Sequence, residues 1–243
     1  MKKIIEAGLT IEVENYYTAL YKKPGMKREK KEKPTKEIQK KINDRNAEKK
    51  LRRLINENFR AGDFHLILTY TPEEKEKAKA EGVMRKNISA FLRKLRKAYK
   101  AIDSELKYIH VMEIGKRGAL HHHLVINNID INVLIKAWPH GRVQVNPLDN
   151  SGQYGRLASY LLKDCKGESK KFQGKKWDPS KNLKIPKEKK RIVPVKYGYR
   201  LDIKPKKGYY IDKASVRQGI DDYTGYPYLH YIMIKLPDKE ESY

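Results

Sequence analysis

The triplet His121-His122-His123 lies inside an apolar run, Ala119–Asn127, whose composition suits a β-strand. Side chains alternate across a strand, so His121 and His123 share one face. His122 points the other way with Leu120, Leu124 and Ile126. Two imidazoles on one face can hold a single cation once a third donor converges on them. The preceding run, Lys107–Gly115, joins Ala119–Asn127 through Lys116-Arg117-Gly118, a spacing that predicts a hairpin. Its register brings Glu113 opposite His121, within cross-strand reach, with Ile109 and Val111 on the same face. With 7 His in 243 residues, chance supplies roughly 0.2 His-x-His pairs. The carboxylate facing the pair is what favours a metal centre over a structural or solvent-facing His strand.

A second candidate is Tyr160-Leu161-Leu162-Lys163. As a string it is uninformative, because Tyr-x-x-(Lys/Arg) also occurs at Tyr197 and Tyr210. Context separates them. Leu157, Ala158, Leu161 and Leu162 form one face of a predicted helix near Tyr154–Lys166, leaving Arg156, Tyr160 and Lys163 on the other. Tyr160 and Lys163, at i and i+3, can address the same phosphate. Tyr197 and Tyr210 fall in segments that read as extended or irregular. Two His and one carboxylate suit several divalent metals. In a phosphate-cleaving site Mg²⁺ or Mn²⁺ is the expected working ion, with zinc or nickel as adventitious occupants.

Positioning these groups requires an α+β unit. Phe64–Thr71 reads as a buried strand ended by Pro72 at a helix start. A short charged helix reaches Gly82, and a longer one, Val83–Ala101, carries Ile88, Phe91, Leu92, Leu95 and Tyr99 as its apolar stripe. After the hairpin come a helix over Ile131–Ala137 capped by Asp130, a strand over Arg142–Asn146, and the Tyr160 helix. Upstream, Lys3–Leu20 reads as one or two strands and Lys22–Pro34 as a basic linker. Thr35 caps a helix to Phe59, with Ile38, Ile42, Ala47, Leu51 and Leu54/Ile55 as its stripe. The chain is basic and loop-like from Lys166 to Lys190, and strands are expected at Tyr209–Ile211 and Tyr228–Leu236. The resulting division is 1–59 (strands, linker and basic helix), 60–167 (the core) and 168–243 (a basic extension with further strands).

Composition bounds the partners. Lys+Arg number 55 against 30 Asp+Glu, a formal charge of +25. Such an excess is repaid by neutralising phosphates and releasing counterions. There are 17 Tyr against 4 Phe, and phenol rings stack on exposed bases beside cations that track a single strand. No apolar run is long enough for a membrane span, and Glu6 interrupts any secretory leader. A lone Cys165 excludes a disulfide scaffold and fits a reducing cytoplasm.

The strand Leu66-Ile-Leu-Thr-Tyr-Thr71, the block Glu113-Ile-Gly-Lys-Arg-Gly-Ala-Leu-His-His-His123-Leu and the run Tyr160-Leu-Leu-Lys163 follow the order of three motifs of HUH-superfamily endonucleases. The chain resembles the rolling-circle replication initiators of small phages and plasmids, particularly filamentous-phage gene II-like replication-associated proteins. The resemblance implies an HUH fold: a central antiparallel β-sheet flanked by helices, ferredoxin- or RRM-like, with N- and C-terminal additions. It implies Tyr160 as nucleophile and Lys163 as its catalytic partner, a divalent Mg²⁺ or Mn²⁺ on Glu113, His121 and His123, and DNA contacts from Thr69, Tyr70, Lys116, Arg117 and Arg156. The middle triplet position, usually bulky and apolar, is His122, which leaves open which two imidazoles bind the metal. The implied substrate is single-stranded or hairpin origin DNA in a bacterial host cytoplasm, nicked to a free 3′-hydroxyl and a 5′-phosphotyrosine and later rejoined. Asp164, in place of a second Tyr, implies a one-tyrosine mechanism. No phosphate-binding Gly-x-x-x-x-Gly-Lys-(Ser/Thr) loop is present, which implies dependence on a host helicase and polymerase. Relaxases and single-tyrosine transposases of the same superfamily, and a non-enzymatic nucleic-acid-binding protein, are the alternatives.

Overall fold

The computed structural model describes residues 1–18, 35–80, 82–115, 118–163, 176–193, 203–221 and 225–237. The element order is β1 (Lys2–Ala7), β2 (Thr10–Asn15), α1 (Lys36–Asn58), β3 (Phe64–Thr69), α2 (Pro72–Ala78), α3 (Val83–Ala101), β4 (Tyr108–Ile114), β5 (Leu120–Ile126), α4 (Ile131–Ala137), β6 (Val143–Pro147), α5 (Gly155–Lys163), β7 (Asp178–Pro179), β8 (Lys187–Arg191), β9 (Tyr209–Ile220) and β10 (Pro227–Lys235). Tertiary contacts divide the chain into two units, Met1–Ala47 with Ile185–Tyr243, and Glu48–Lys184.

In the unit Glu48–Lys184 the strands pair antiparallel in the order β6-β3-β5-β4-β7. Leaving aside the two-residue β7, strands and crossovers follow a β-α-β-β-α-β order, the ferredoxin-like arrangement. The α+β class and antiparallel sheet expected from the sequence are therefore present. Strand alternation sorts the residues. Phe64, Leu66, Leu68, Leu124, Ile126 and Tyr108 face a buried cluster with Ile88, Phe91, Leu92, Leu95 and Tyr99 of α3 and Leu134 and Ala137 of α4. Val83–Ala101 and Ile131–Ala137 have the expected bounds, and Asp130 Oδ1 accepts the Asn132 N–H at 2.8 Å. β3 stops at Thr69, two residues early. Thr71 instead caps α2, its hydroxyl accepting from the Glu74 N–H, with Pro72 in the first turn.

The opposite sheet face carries the candidate site beside the buried Ile109, Val111 and Val125. Helix α5 is set by side chains: Asn56 of α1 accepts the Tyr154 N–H at 3.0 Å, and Gln153 Oε1 accepts the Gly155 N–H at 2.9 Å. Both satisfy donors that a helix N-terminus leaves unpaired. Ala158, Leu161 and Leu162 are buried, while Arg156, Tyr160 and Lys163 are exposed, as their spacing predicts. The expected stripe of α1 holds only in part. Leu51 and Ile55 are buried, but Ile38 and Ile42 are 50% and 38% exposed. Residues 164–166 of the expected last turn lie outside the described residues, as do Asp164, Cys165, Tyr197 and the linker 22–34.

In the other unit the order is β8-β1-β2-β10-β9, again antiparallel. One face buries Ile11, Val13, Leu229, Tyr231 and Met233. Both chain ends thus supply strands to one sheet. The segment read as loop-like up to Lys190 contains β7 and β8, and β9 runs nine residues beyond Ile211. The sequence of β8, Lys-Glu-Lys-Lys-Arg, has no apolar alternation because every residue is exposed at a sheet edge. Charged edges of this kind resist pairing with a second chain.

The last turn of β3 is held by chain from the α4–β6 turn, through Thr69 N–H to Arg142 O at 3.0 Å and Thr71 N–H to His140 O at 2.9 Å. Gly141 lies so close that a Cβ there would overlap the Thr69 carbonyl and come within 2.9 Å of Thr71 N. Gly141→Ala is expected to cost about 2 kcal/mol or more, because backbone must move rather than a flexible side chain. Chemical denaturation measures this, and a loss under about 0.5 kcal/mol would show that the turn yields freely.

Candidate metal and tyrosine site

The antiparallel register places Glu113 of β4 directly opposite His121 of β5, and Thr69 of β3 opposite His121 on the other side. Val111 and Ile67 flank His123 in the same way. His121, His123, Glu113 and Thr69 consequently project from one face. His123 is buried, and its Nε2 lies 2.7 Å from Glu113 Oε2. His121 is held below its ordinary pKa by burial, so its imidazole is neutral at physiological pH. Its Nδ1 is buried and has no hydrogen-bond partner among the described residues. A buried lone pair or N–H left unmatched is costly, and a cation or a rearranged donor set repairs it. Two imidazoles and a carboxylate on one face are a donor set suited to a divalent ion.

Tyr160 of α5 lies over this face. Its ring contacts His123 edge-on with centroids 5.5 Å apart and His65 at 5.9 Å. The tyrosine is half exposed, at 50%. Lys163 and Arg156 are exposed on the same side of α5. Thr69 is half-buried, with its hydroxyl 3.4 Å from Arg142 O. Lys116 and Arg117 lie outside the described residues.

Tyr70 and His122 belong to the other face. Asn87 Nδ2 lies 3.5 Å from the Tyr70 hydroxyl, which is 2.8 Å from His122 Nε2. His122 Nδ1 lies 3.0 Å from His110 Nε2, so both ring nitrogens of His122 are hydrogen-bonded. The His122 ring packs against Trp138 as well. Tyr70 is pushed up to about 12 by burial, and His110 down to about 4 by burial with a contribution from Arg85. His122 is driven well down by burial and by the neighbouring imidazoles. His122 is thus turned away from Glu113, and the two imidazoles of the triplet on the Glu113 face are His121 and His123.

Two groups escaped the sequence reading. His65 of β3 lies on the site face, buried, with Nε2 3.3 Å from His123 Nδ1. Burial holds it down at about 4. The available signal was parity: His65, Ile67 and Thr69 occupy alternate positions of one strand. In the other unit, Glu12, Glu14 and His230 present donor atoms all within 4.8 Å of one another, a group that could hold a metal ion. Glu12 and His230 are 2.6 Å apart. His230 is more than 200 positions from the two carboxylates in the chain, so only the β2–β10 pairing reveals the group.

Residues 63–165 match a family model, that of the replication-associated proteins of the ORF2 and phage gene II type. The match supports a gene II-like replication initiator. Its span runs from β3 through α5 and includes His65, Glu113, His121, His123, Tyr160 and Lys163, whereas the Glu12, Glu14 and His230 group lies outside it. No curated protein and no solved structure matches the chain. The name of the matched family indicates an association with replication, and the +25 charge is in keeping with a nucleic-acid partner. Among the described residues no helix is long and apolar enough to cross a membrane.

The buried His110–His122 pair sets a pH dependence. Both groups are held below the value near 6.5 that they have in the unfolded chain. Between that value and about 4 the unfolded state binds more protons, so the stability they confer is full above 6.5 and declines as pH falls toward 4. The thermal midpoint is expected to drop by several degrees from pH 7 to pH 4.5. His110→Gln, which keeps a hydrogen-bonding group for His122, is expected to flatten that profile. An unchanged slope in the variant would assign the acid sensitivity to other groups, the buried His65 and His122 or carboxylates elsewhere.

Proposed function

We propose that the protein is a rolling-circle replication initiator that nicks single-stranded origin DNA through Tyr160. The observation that carries this reading is the Tyr160 ring resting against His123 at 5.5 Å, directly above the Glu113–His123 pair. A nucleophile, a candidate metal centre and a cation at Lys163 on the same helix then converge on one phosphate.

A phenol with an ordinary pKa near 10 is a weak nucleophile at neutral pH. A divalent ion such as Mg²⁺ or Mn²⁺, held by Glu113, His121 and His123, would supply neutralisation of a non-bridging phosphate oxygen as charge builds there. Tyr160 Oη forms a bond to phosphorus and gives up its proton, while the bond from phosphorus to the 3′-oxygen breaks and that oxygen leaves as a hydroxyl. Lys163 orients the scissile phosphate or favours the phenolate. Arg156 and Thr69 line the approach of the strand, with Lys116 and Arg117, which lie between β4 and β5 in the sequence, proposed as further contacts. Tyr70, bonded to His122 on the far face, is proposed to support the sheet rather than touch DNA. The phosphotyrosine ester retains the energy of the broken bond, so a later 3′-hydroxyl can displace Tyr160 and rejoin the strand. Unwinding and synthesis would fall to a host helicase and polymerase in a bacterial cytoplasm.

The test is a denaturing gel of wild type and Tyr160→Phe after incubation with labelled single-stranded DNA spanning the origin, with Mn²⁺ or with EDTA. Wild type with Mn²⁺ is expected to give a covalent protein–DNA band, reduced at least about 100-fold by Tyr160→Phe or by EDTA. An adduct that survives in Tyr160→Phe would move the nucleophile to another tyrosine. Retained affinity with no adduct in either protein would favour a non-enzymatic binding protein.

A further inference from the structure

His123 is engaged at both ring nitrogens, by Glu113 Oε2 at 2.7 Å from Nε2 and by His65 Nε2 at 3.3 Å from Nδ1. An imidazole coordinates a cation only through a nitrogen without a proton, and a neutral ring has one of each kind. If Nε2 is the ligand atom beside Glu113, Nδ1 must carry the proton, and that proton needs an acceptor. We propose that His65 is this acceptor and acts as the positioning residue that fixes the tautomer and ring orientation of His123. The inference rests on the metal centre proposed above and extends it to a residue in a different strand.

The geometry supports the assignment from three directions. His65 and His123 lie with rings only 18° from parallel and centroids 5.6 Å apart, so the nitrogens meet nearly in the ring planes, as an N–H···N bond requires. Strand register makes the meeting obligatory. Ile67 of β3 is paired with His123, and His65, two residues earlier, stands on the same face as the next residue inward, Val125. The His65 ring also meets Tyr160 at 75°, so the imidazole that would orient the metal ligand also packs beneath the proposed nucleophile.

Metal-bound histidines commonly donate their second N–H to a carboxylate, a carbonyl or a water. A neutral imidazole in that place orients the ring without adding negative charge behind it. The site keeps Glu113 as its one carboxylate among the residues named here, which leaves more of the ion's charge for a phosphate oxygen.

Two substitutions separate positioning from packing. His65→Phe keeps an aromatic ring under Tyr160 and removes the acceptor; His65→Gln supplies a carbonyl oxygen near the former Nε2. Calorimetric titration of the full chain with MnCl₂ alone, without DNA, gives the His123-dependent affinity when a His123→Ala protein is run as reference. His65→Phe is expected to weaken that affinity about 10- to 100-fold, with His65→Gln recovering most of the loss. In the absence of metal the Glu113 carboxylate accepts from His123 Nε2–H, so the tautomer is read on the protein loaded with diamagnetic Mg²⁺. Imidazole ¹⁵N spectra should then show His123 ligated at Nε2 and protonated at Nδ1 in wild type and in His65→Gln, and that signal weakened in His65→Phe. Unchanged Mn²⁺ affinity in His65→Phe would overturn the role of His65 and leave the metal centre standing. Equal losses in both variants would reduce His65 to a packing residue. If His123→Ala bound Mn²⁺ as wild type does, the metal centre itself would fail, and this inference with it.

Discussion

The site depends on the antiparallel register of β3, β5 and β4. Three consecutive histidines in one strand would be ambiguous in solution, but pairing Glu113 with His121 and Leu68 with His122 decides the matter. A slip by one residue would exchange the faces, placing His122 toward Glu113 and His121 and His123 among the leucines. The buried layer against α3 and α4 penalises that slip of β5, because Leu124 and Ile126 would be turned out of the core that they share with Leu66 and Leu68 of β3. The hydrogen-bonded chain from Tyr70 through His122 to His110 adds a polar cost, since a displaced His122 would leave buried groups unmatched. The middle histidine therefore guards the orientation of its two neighbours.

The second constraint acts on the tyrosine. Helix α5 is short, and its start is tied by Asn56 and Gln153 rather than by a capping sequence of its own. Its apolar residues Ala158, Leu161 and Leu162 fix its rotation about the axis, leaving Tyr160 above His65 and His123 and leaving Lys163 one turn further on. Catalysis by positioning requires such preorganisation, because a displacement of about 1 Å can cost two orders of magnitude. Tyrosine and histidines come from elements separated by α4 and β6, so the arrangement is a property of the fold, not of any one motif.

The legible parts of the sequence were those governed by a local period. Alternation in Tyr108–Ile114 and Leu120–Ile126 gave the faces, and the stripe from Ile88 to Tyr99 gave α3 to the residue. The site residues Glu113, His121, His123 and Tyr160 were legible because a hairpin and a helix obey these rules over few residues. His65 was not, because its partner lies 58 positions away and the parity of β3 gives its face without naming the residue that it meets there. The edge strand β8 was hidden by its charge, and the Glu12, Glu14 and His230 group by a pairing between distant ends of the chain. The α1 stripe failed at Ile38 and Ile42 because helical periodicity says which residues share a face, not whether anything covers it.

The most direct examination of the account is a crystal structure of the protein soaked in Mn²⁺, with the ion located by its anomalous scattering. The account predicts a peak bounded by Glu113, His121 and His123 beneath the Tyr160 ring, with His123 ligating through Nε2 and His65 still against Nδ1. Manganese held by Glu12, Glu14 and His230 alone, with the Glu113 face empty at saturating Mn²⁺, would contradict it.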